Sequence, residues 1–210
     1  MNNIQGWINL YKPKNISSFK ALNKLKKKFF IKKIGHAGTL DPFAEGILPI
    51  AIGKTTKLIP FITKENKKYN FTISWGTQTD SDDSTGEIMF KSEMIPHIEN
   101  IKLKLNKFLG NTFQVPPRIS ANKINGKRAY KLVRQNVSFK LLPKKVYVKN
   151  IRITNNYKNK TSFEIECGKG FYIRSLGRDL ALSLGTYGHI CHLERLNVGK
   201  FSKETSILLD

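Results

Sequence analysis

The sequence predicts an α+β domain built on a mixed, mostly antiparallel sheet flanked by helices. Three observations carry that class. Strand-like and helix-like stretches alternate along the 210 residues without the regular strand–helix–strand period of a doubly wound fold. The stretch KKYNFTISWG (67–76) alternates with period two and puts Tyr69, Phe71, Ile73 and Trp75 on one face. The stretch SSFKALNKLKKKFF (17–30) has helical period, with Phe19, Leu22, Leu25 and Phe29 along one side and lysines on the other.

The other elements follow in order. GWINLYKP (6–13) reads as a strand closed by Pro13, and Ser17 or Ser18 is available to cap the helix after it. GILPIAIG (46–53) is a short apolar run interrupted by proline, expected as a buried irregular strand or turn. TQTDSDDSTGEIMF (77–90) predicts a polar acidic loop leading into a strand. IENIKLKLNKFLG (98–110) predicts a helix ending at Gly110. KKVYVKNIRI (144–153) and TSFEIECG (161–168) read as two strands joined by a turn at Asn155-Asn156. FYIRSLGRDLALSLG (171–185) runs from strand into helix and stops at Gly185. Residues 111–142 begin with turn-forming residues and are dense in positive charge, which predicts an excursion from one domain. The expectation is a single domain over 1–210.

Charge narrows the function classes. The chain has 37 basic and 15 acidic side chains, a formal net charge of +22. Residues 1–40 hold nine lysines and no acid, and Asn100 to Phe163 hold sixteen Lys or Arg and no acid. Five of the fifteen acids cluster between Asp80 and Glu93. Such asymmetry makes one strongly positive face, suited to a phosphate backbone. A solvated lysine-rich surface and a basic membrane-surface helix are the rival readings. The interleaved rings of Phe108, Phe113, Tyr130, Phe139, Tyr147 and Tyr157 favour nucleic acid, since bases stack on them. With no apolar run of 18 residues and no signal-peptide pattern, the expectation is a cytoplasmic protein with no membrane partner. Cys167 and Cys191 are expected as reduced core residues. The cluster HICH (189–192) is too closely spaced for a tetrahedral zinc site, so no metal is expected.

Asp41 is the first acid in the chain, set in HAGTLDP between glycines and Pro42. Proline restricts the residue before it to extended or turn backbone. Gly35 and Gly38 permit close approach of a ligand. An Asp-Pro pair alone is usually just a turn. Yet a carboxylate on a phosphate-binding surface repels its own ligand, and a nucleophilic or proton-abstracting role would justify it. Its fixed cation would be an arginine, and FYIRSLGRDL offers both Arg174 and Arg178, with Asp179 as a local partner for either. Spacing does not choose between them.

Four blocks, GHAGTLDPFAEGILPIAIGKTTKL, KKYNF, QVPPRISANKINGKRAYKLVR and GKGFYIRSLGRDLALSLG, resemble in that order the successive motifs of the bacterial tRNA pseudouridine synthase B family, whose relative in archaea and eukaryotes is dyskerin. The resemblance runs from Trp7 to Phe201. It implies the pseudouridine synthase fold with an inserted, basic RNA-gripping segment at about 118–142. It also implies isomerisation of the T-loop uridine of tRNA to pseudouridine, a tRNA pseudouridine-55 synthase. By the resemblance Asp41 is the catalytic aspartate, Tyr69 the tyrosine that stacks on the target base, and Arg174 the arginine paired with the carboxylate. His36, Gly38, Thr39, Leu40 and Lys12 fall among the family's substrate-binding positions. Arg118, Lys123, Lys127, Arg128, Lys131 and Arg134 would contact RNA phosphates.

The isomerisation is redox-neutral and needs no external group, so no cofactor is implied. The implied partner is the T-arm of tRNA, bound by a monomer. A non-catalytic tRNA-binding or tRNA-folding protein on the same scaffold is the rival. The chain departs from the family pattern at Asn15 and Ile16 (usually Gly and Thr), at Ile119 (usually Tyr) and at Glu194 (commonly Arg). Asn15 is expected to keep the turn because asparagine tolerates left-handed backbone. The chain ends at Asp210, where most relatives continue into a small RNA-binding domain, and the expectation is that this domain is absent.

Overall fold

The computed structural model describes residues 4–209. Fourteen strands and five α-helices follow one another along them. They begin β1 (Gly6–Lys12), α1 (Ser18–Lys28), β2 (Ile34–His36), β3 (Glu45–Ile52), α2 (Ile59–Lys64) and β4 (Lys67–Trp75). Then come β5 (Thr77–Thr79), β6 (Ile88–Lys91), α3 (Ile98–Leu105), β7 (Gly110–Gln114), β8 (Lys123–Ile124), β9 (Lys127–Arg128) and α4 (Ala129–Arg134). The chain closes with β10 (Lys144–Tyr157), β11 (Lys160–Cys167), α5 (Ile173–Ser183), β12 (Gly188–Val198), β13 (Phe201–Ser202) and β14 (Ile207–Leu208). The class is α+β, as the alternation without a βαβ period predicts.

The chain forms two compact units, with β4, β11 and β12 contributing residues to both. The first holds residues 1–70, 166–169 and 193–210. Its strands run in the order β14-β1-β3-β12, with β2 on β3 and β13 on β12. β1 and β3 pair antiparallel over their whole length, from Gly6 opposite Ile52 to Lys12 opposite Gly46. Ser17 caps α1, its side chain accepting the Lys20 N–H at 3.1 Å. The helix buries Ser18, Ala21, Leu22 and Leu25 against Leu10, Leu48 and Ile50. Its buried stripe is therefore rotated from the expected one: Phe19 and Phe29 are exposed. Small Ser18 and Ala21 let the helix lie close to the sheet, which a phenylalanine stripe would not.

GILPIAIG is a full strand, where an irregular strand or turn was expected. Pro49 is tolerated because β3 changes neighbours there. β12 pairs with Glu45 and Gly46, β2 pairs with Ile50 to Ile52, and the residues between have no ladder partner on that edge. The Pro49 carbonyl accepts instead from Ala37 N–H at 2.8 Å.

The second unit holds residues 71–165 and 170–192, with strand order β12-β4-β11-β10-β7. Phe71 and Phe163 stack at 5.0 Å in its core, and α5 covers the sheet with Leu176, Leu180 and Ala181. Gly177 is required here, because a Cβ would stand 2.7 Å from Ile190 Cδ1. The expected turn at Asn155-Asn156 lies two residues further on: β10 continues to Tyr157, and Lys158 takes φ +51. The segment before α5 is a loop, not a strand. The acidic loop is the largest surprise, since Ser81, Asp82 and Asp83 are 4–5% exposed. A polar loop buries where cations meet it. Arg178 pairs with Asp82 at 2.9 Å and Arg174 approaches Asp83 at 3.6 Å.

Candidate functional site

Asp41 sits in the loop between β2 and β3, half-buried, and the loop is tied down at nearly every residue. Asp41 itself closes a turn, its carbonyl accepting Ala44 N–H at 3.2 Å. Ser18, held on the buried face of α1, takes both backbone groups of Leu40: the Leu40 N–H donates to its hydroxyl at 2.9 Å and the hydroxyl donates to Leu40 O at 2.8 Å. Leu40, Phe43 and Ala44 bury their side chains on either side of the aspartate. The carboxylate therefore stands on a frame fixed by packing and by backbone hydrogen bonds.

Lys12 completes the frame from below. Its side chain is wholly buried, and Nζ donates to Ala44 O at 2.6 Å and to Pro13 O and Ile16 O at 2.8 Å, with Pro42 O at 3.5 Å. Burial and the Arg195 cation lower its pKa to about 8, against Asp41 and Glu45, which raise it. The amine thus ties the connection after β1 to the Asp41 loop. The ammonium that the sequence places among the substrate-binding positions is here buried and ringed by carbonyls, which gives it a part in holding the loop. Leu40 is likewise 3% exposed, with its backbone held by Ser18. Asn15 has φ +62, the left-handed turn expected of it, and lets Ile16 O reach Lys12.

The guanidinium of Arg195, on β12, is the principal feature missed in the sequence. It is 1% exposed and donates to Ile47 O at 2.7 Å and to Gly38 O at 3.0 Å. Its charge also acts on the Tyr69 hydroxyl. The Ile47 carbonyl is free for it because that edge of β3 has no strand partner. Gly46 must be glycine, since it has φ +112 and a Cβ would overlap the backbone of Arg195. Gly38 has φ +89 and leaves room beside the guanidinium. Gly35, by contrast, makes its close approach to the half-buried Ile59 at the start of α2.

Burial pushes the Tyr69 hydroxyl above its ordinary value; Arg195 opposes this, while Asp41 and Cys167 add to it. Asp41, Tyr69, Arg195 and Lys12 therefore share one electrostatic neighbourhood within the first unit. His36 is nearby, half-buried, with its Nδ1 lacking a hydrogen-bond partner among the described residues. Thr39 is exposed beside it.

Burial, then Arg195, holds His36 below its ordinary value of 6.5. The folded protein thus takes up this proton less readily than the unfolded chain. Stability contributed by the neutral ring is present above pH 6.5 and declines as pH falls toward the folded pKa. Thermal melts between pH 7 and 5 are expected to lose less stability in His36→Gln than in wild type. Parallel pH profiles for the two proteins would refute this.

Glu194 is also accounted for. It accepts from the Tyr11 hydroxyl at 2.8 Å and from Lys203 Nζ at 2.7 Å, so the carboxylate is paired where an arginine is common. Burial and this carboxylate push the Tyr11 hydroxyl far up.

In the second unit, Arg174 is the second residue of α5, with 5% of its side chain exposed. It donates to Ser81 O at 2.8 Å and Ile119 O at 3.0 Å besides facing Asp83. Arg178 joins Asp82, Asp179 and Val115 O. Gln114 brackets the start of α5, exchanging hydrogen bonds with the Tyr172 backbone at 2.8 and 3.1 Å. These bonds pin the base of the basic excursion. The excursion itself carries a small hairpin, β8–β9, turned at Asn125-Gly126, both with positive φ. Arg118, Lys123, Lys127, Arg128, Lys131 and Arg134 are all exposed on it. Arg118 lies over the Phe139 ring at 5.5 Å and Arg134 over Tyr130 at 5.7 Å. Among the described residues no three His, Cys, Asp or Glu side chains gather into a metal-binding group. No helix among them is long and apolar enough to cross a membrane.

Comparison with known proteins places the chain in a family. Residues 26–173 match the family described as TruB family pseudouridylate synthase (N terminal domain). The chain is 44% identical over 207 residues to the tRNA pseudouridine synthase B of Ehrlichia ruminantium (strain Gardel), covering 98% of this chain and 70% of that protein. It is 43% identical over 209 residues to the protein of the same name from Wolbachia pipientis subsp. Culex pipiens (strain wPip), covering 99% of this chain and 59% of that one. A chain in the crystal structure of a Cbf5-Nop10-Gar1 complex superposes with a TM-score of 0.74 at 27% identity, over 97% of this chain and 52% of that chain. This chain therefore spans about half of that solved protein and roughly three fifths to seven tenths of the two relatives. On sequence and fold alike, the chain belongs to the TruB family of pseudouridylate synthases.

Proposed function

We propose that this chain isomerises uridine to pseudouridine in the T-loop of tRNA, at position 55, with Asp41 as the reactive carboxylate. The observation that carries the reading is the frame around Asp41. A surface turn needs no buried lysine, buried serine and buried arginine to hold its backbone. A group that must meet one carbon of a substrate does, because small misplacement costs rate steeply.

The reaction breaks the bond between the ribose C1′ and uracil N1 and joins C1′ to uracil C5. The C5 proton leaves and N1 ends protonated, so electrons balance with no cofactor. A base stacked in folded RNA cannot turn over in place and must be extruded into a pocket. Tyr69 supplies a platform there, its hydroxyl buried within the field of Arg195 and Asp41. Asp41 attacks the nucleotide or abstracts a sugar proton. Arg174 enters this proposal on the family resemblance alone. The exposed cations of the excursion would grip the T-arm. The working form is a monomer in the cytoplasm.

Arg195→Lys tests the frame. A single ammonium cannot reproduce two bonds directed from a planar guanidinium to Ile47 O and Gly38 O. The expected result is a fall in kcat/KM of roughly 10–100-fold, by analogy with other positioning groups. In a Tyr69→Phe background the same substitution should cost markedly less, since part of its effect passes through the tyrosine hydroxyl. Equal losses in both backgrounds would separate Arg195 from Tyr69.

The overall reading is tested by incubating the protein with an unmodified tRNA transcript and mapping pseudouridine by carbodiimide-blocked primer extension. A new stop at the T-loop uridine is expected. Tight tRNA binding without any stop would support the tRNA-folding alternative instead.

A further inference from the structure

Seven lysines and no acid lie between Lys20 and Lys33, and all seven are exposed. Three phenylalanines are exposed among or beside them: Phe19 at 68%, Phe29 at 50% and Phe30 at 93%. Single exposed apolar residues are ordinary. Phe30 is not ordinary, because its φ is +51. Ile31 N–H bonds to Lys26 O at 3.0 Å and Phe30 N–H to Lys27 O at 3.4 Å. These are the two bonds of a Schellman helix end, whose left-handed position belongs to glycine or asparagine. A phenylalanine there is strained, and its ring has almost no packing to offset the strain. The buried anchor of this helix end is the next residue, Ile31, at 7% exposure. The fold therefore gains nothing from the Phe30 ring.

We propose that Phe30, with Lys24, Lys26, Lys27 and Lys33, is an RNA-contact surface, the ring stacking on an unpaired base and the ammonium groups meeting neighbouring phosphates. The inference rests on reading the chain as an RNA-modifying enzyme. It goes further, because this surface lies in neither the basic excursion nor the frame of Asp41. Both halves of the patch are satisfied by one ligand, since a nucleotide carries a flat π-face and a negative charge. Strain kept at an exposed position is a signature of function. An anionic bilayer matches the charge but not the shape. A helix lying in a membrane interface needs its apolar stripe free, and the stripe of α1 is buried against β1 and β3.

The test is Phe30→Gly, which suits the left-handed backbone. The expected result has opposite signs in two assays: a higher melting temperature, and tRNA affinity weaker by roughly 5- to 100-fold, the range of one lost base stack. KM for unmodified tRNA rises by a similar factor. The pair Lys26→Gln and Lys27→Gln should reduce the slope of log Kd against log salt by about 1 to 2. Unchanged Kd, KM and salt slope would overturn the proposal, as would wild-type protein that does not bind tRNA. So would loss of binding to phosphatidylserine vesicles in Phe30→Gly with tRNA affinity intact, which would make the patch a membrane surface. If wild type binds tRNA but makes no pseudouridine, the catalytic reading fails while the Kd comparison still decides this one. If wild type makes pseudouridine and Phe30→Gly matches its KM, this proposal alone fails.

Discussion

Asp41→Asn is expected to lower the rate of pseudouridine formation by at least about 10³-fold while leaving the fold and tRNA affinity near wild type. The carboxamide has the shape of the carboxylate, and the turn bond from Ala44 N–H goes to the Asp41 backbone, not its side chain. The bonds that Lys12, Ser18 and Arg195 make to the loop go to its backbone, and the restriction imposed by Pro42 does not depend on the charge. What is lost is the electron pair that attacks carbon or removes a proton. A second signature should accompany the loss: Asp41 raises the pKa of Lys12, so the substitution should move that amine further down. The rate is measured under single-turnover conditions by release of tritium from C5 of uridine in the transcript. Retention of a tenth or more of the wild-type rate would remove Asp41 from the chemistry.

The sequence announces the parts of this site that are local and hides those that are distant. Asp41, Tyr69 and the glycines of the loop sit in the short blocks that carry the family resemblance. β1, α1, β4 and α5 are legible because periodicity and capping are properties of a few neighbouring residues. Arg195 was invisible for the opposite reason. Its function depends on the gap between β12 and β2 along the edge of β3, a fact about three strands far apart in the chain. The signal that existed was the pairing of Gly46 with a later arginine, which only the fold reveals. The acidic loop misled because Asp82 and Asp83 find their cations on α5, about ninety residues away. The Asn-Gly hairpin in the excursion escaped because its strands are two residues each, too short to alternate. Phe19 and Phe29 fit the helical period but lost the core position to smaller residues, which pack α1 closer to β1 and β3.

Lys12→Met should cost stability more than any other single change considered, about 2–5 kcal/mol, although methionine fills nearly the same apolar volume. The loss comes from carbonyls: those of Ala44 and Ile16 would be left buried without their donor, and that of Pro13 would lose its bond at the surface. Two of them belong to the connection after β1 and one to the Asp41 loop, so both segments should loosen together. A pH dependence separates this account from simple packing. Lys12 titrates at about 8 in the folded protein against 10.5 when unperturbed, and Lys67, buried with its amine on Thr63 O and Glu65 O, does the same. Between those values the unfolded chain holds more protons than the folded one. These two lysines therefore make stability rise with pH from 8, by at most about 1.4 kcal/mol per pH unit each. Above pH 9 the Cys167 thiol, pushed up by burial from 9.0 to about 12, and the raised Tyr11 and Tyr69 hydroxyls oppose the rise. Denaturant melts of Lys12→Met should show a lower midpoint at pH 7 and a shallower rise between pH 8 and 9, below the range where Cys167 and the tyrosines oppose it, with Lys67 supplying the rise that remains. A variant that unfolds at the wild-type midpoint would mean that the carbonyls find other donors. A variant that is destabilised but keeps the full rise would mean that Lys12 is not the group that titrates there.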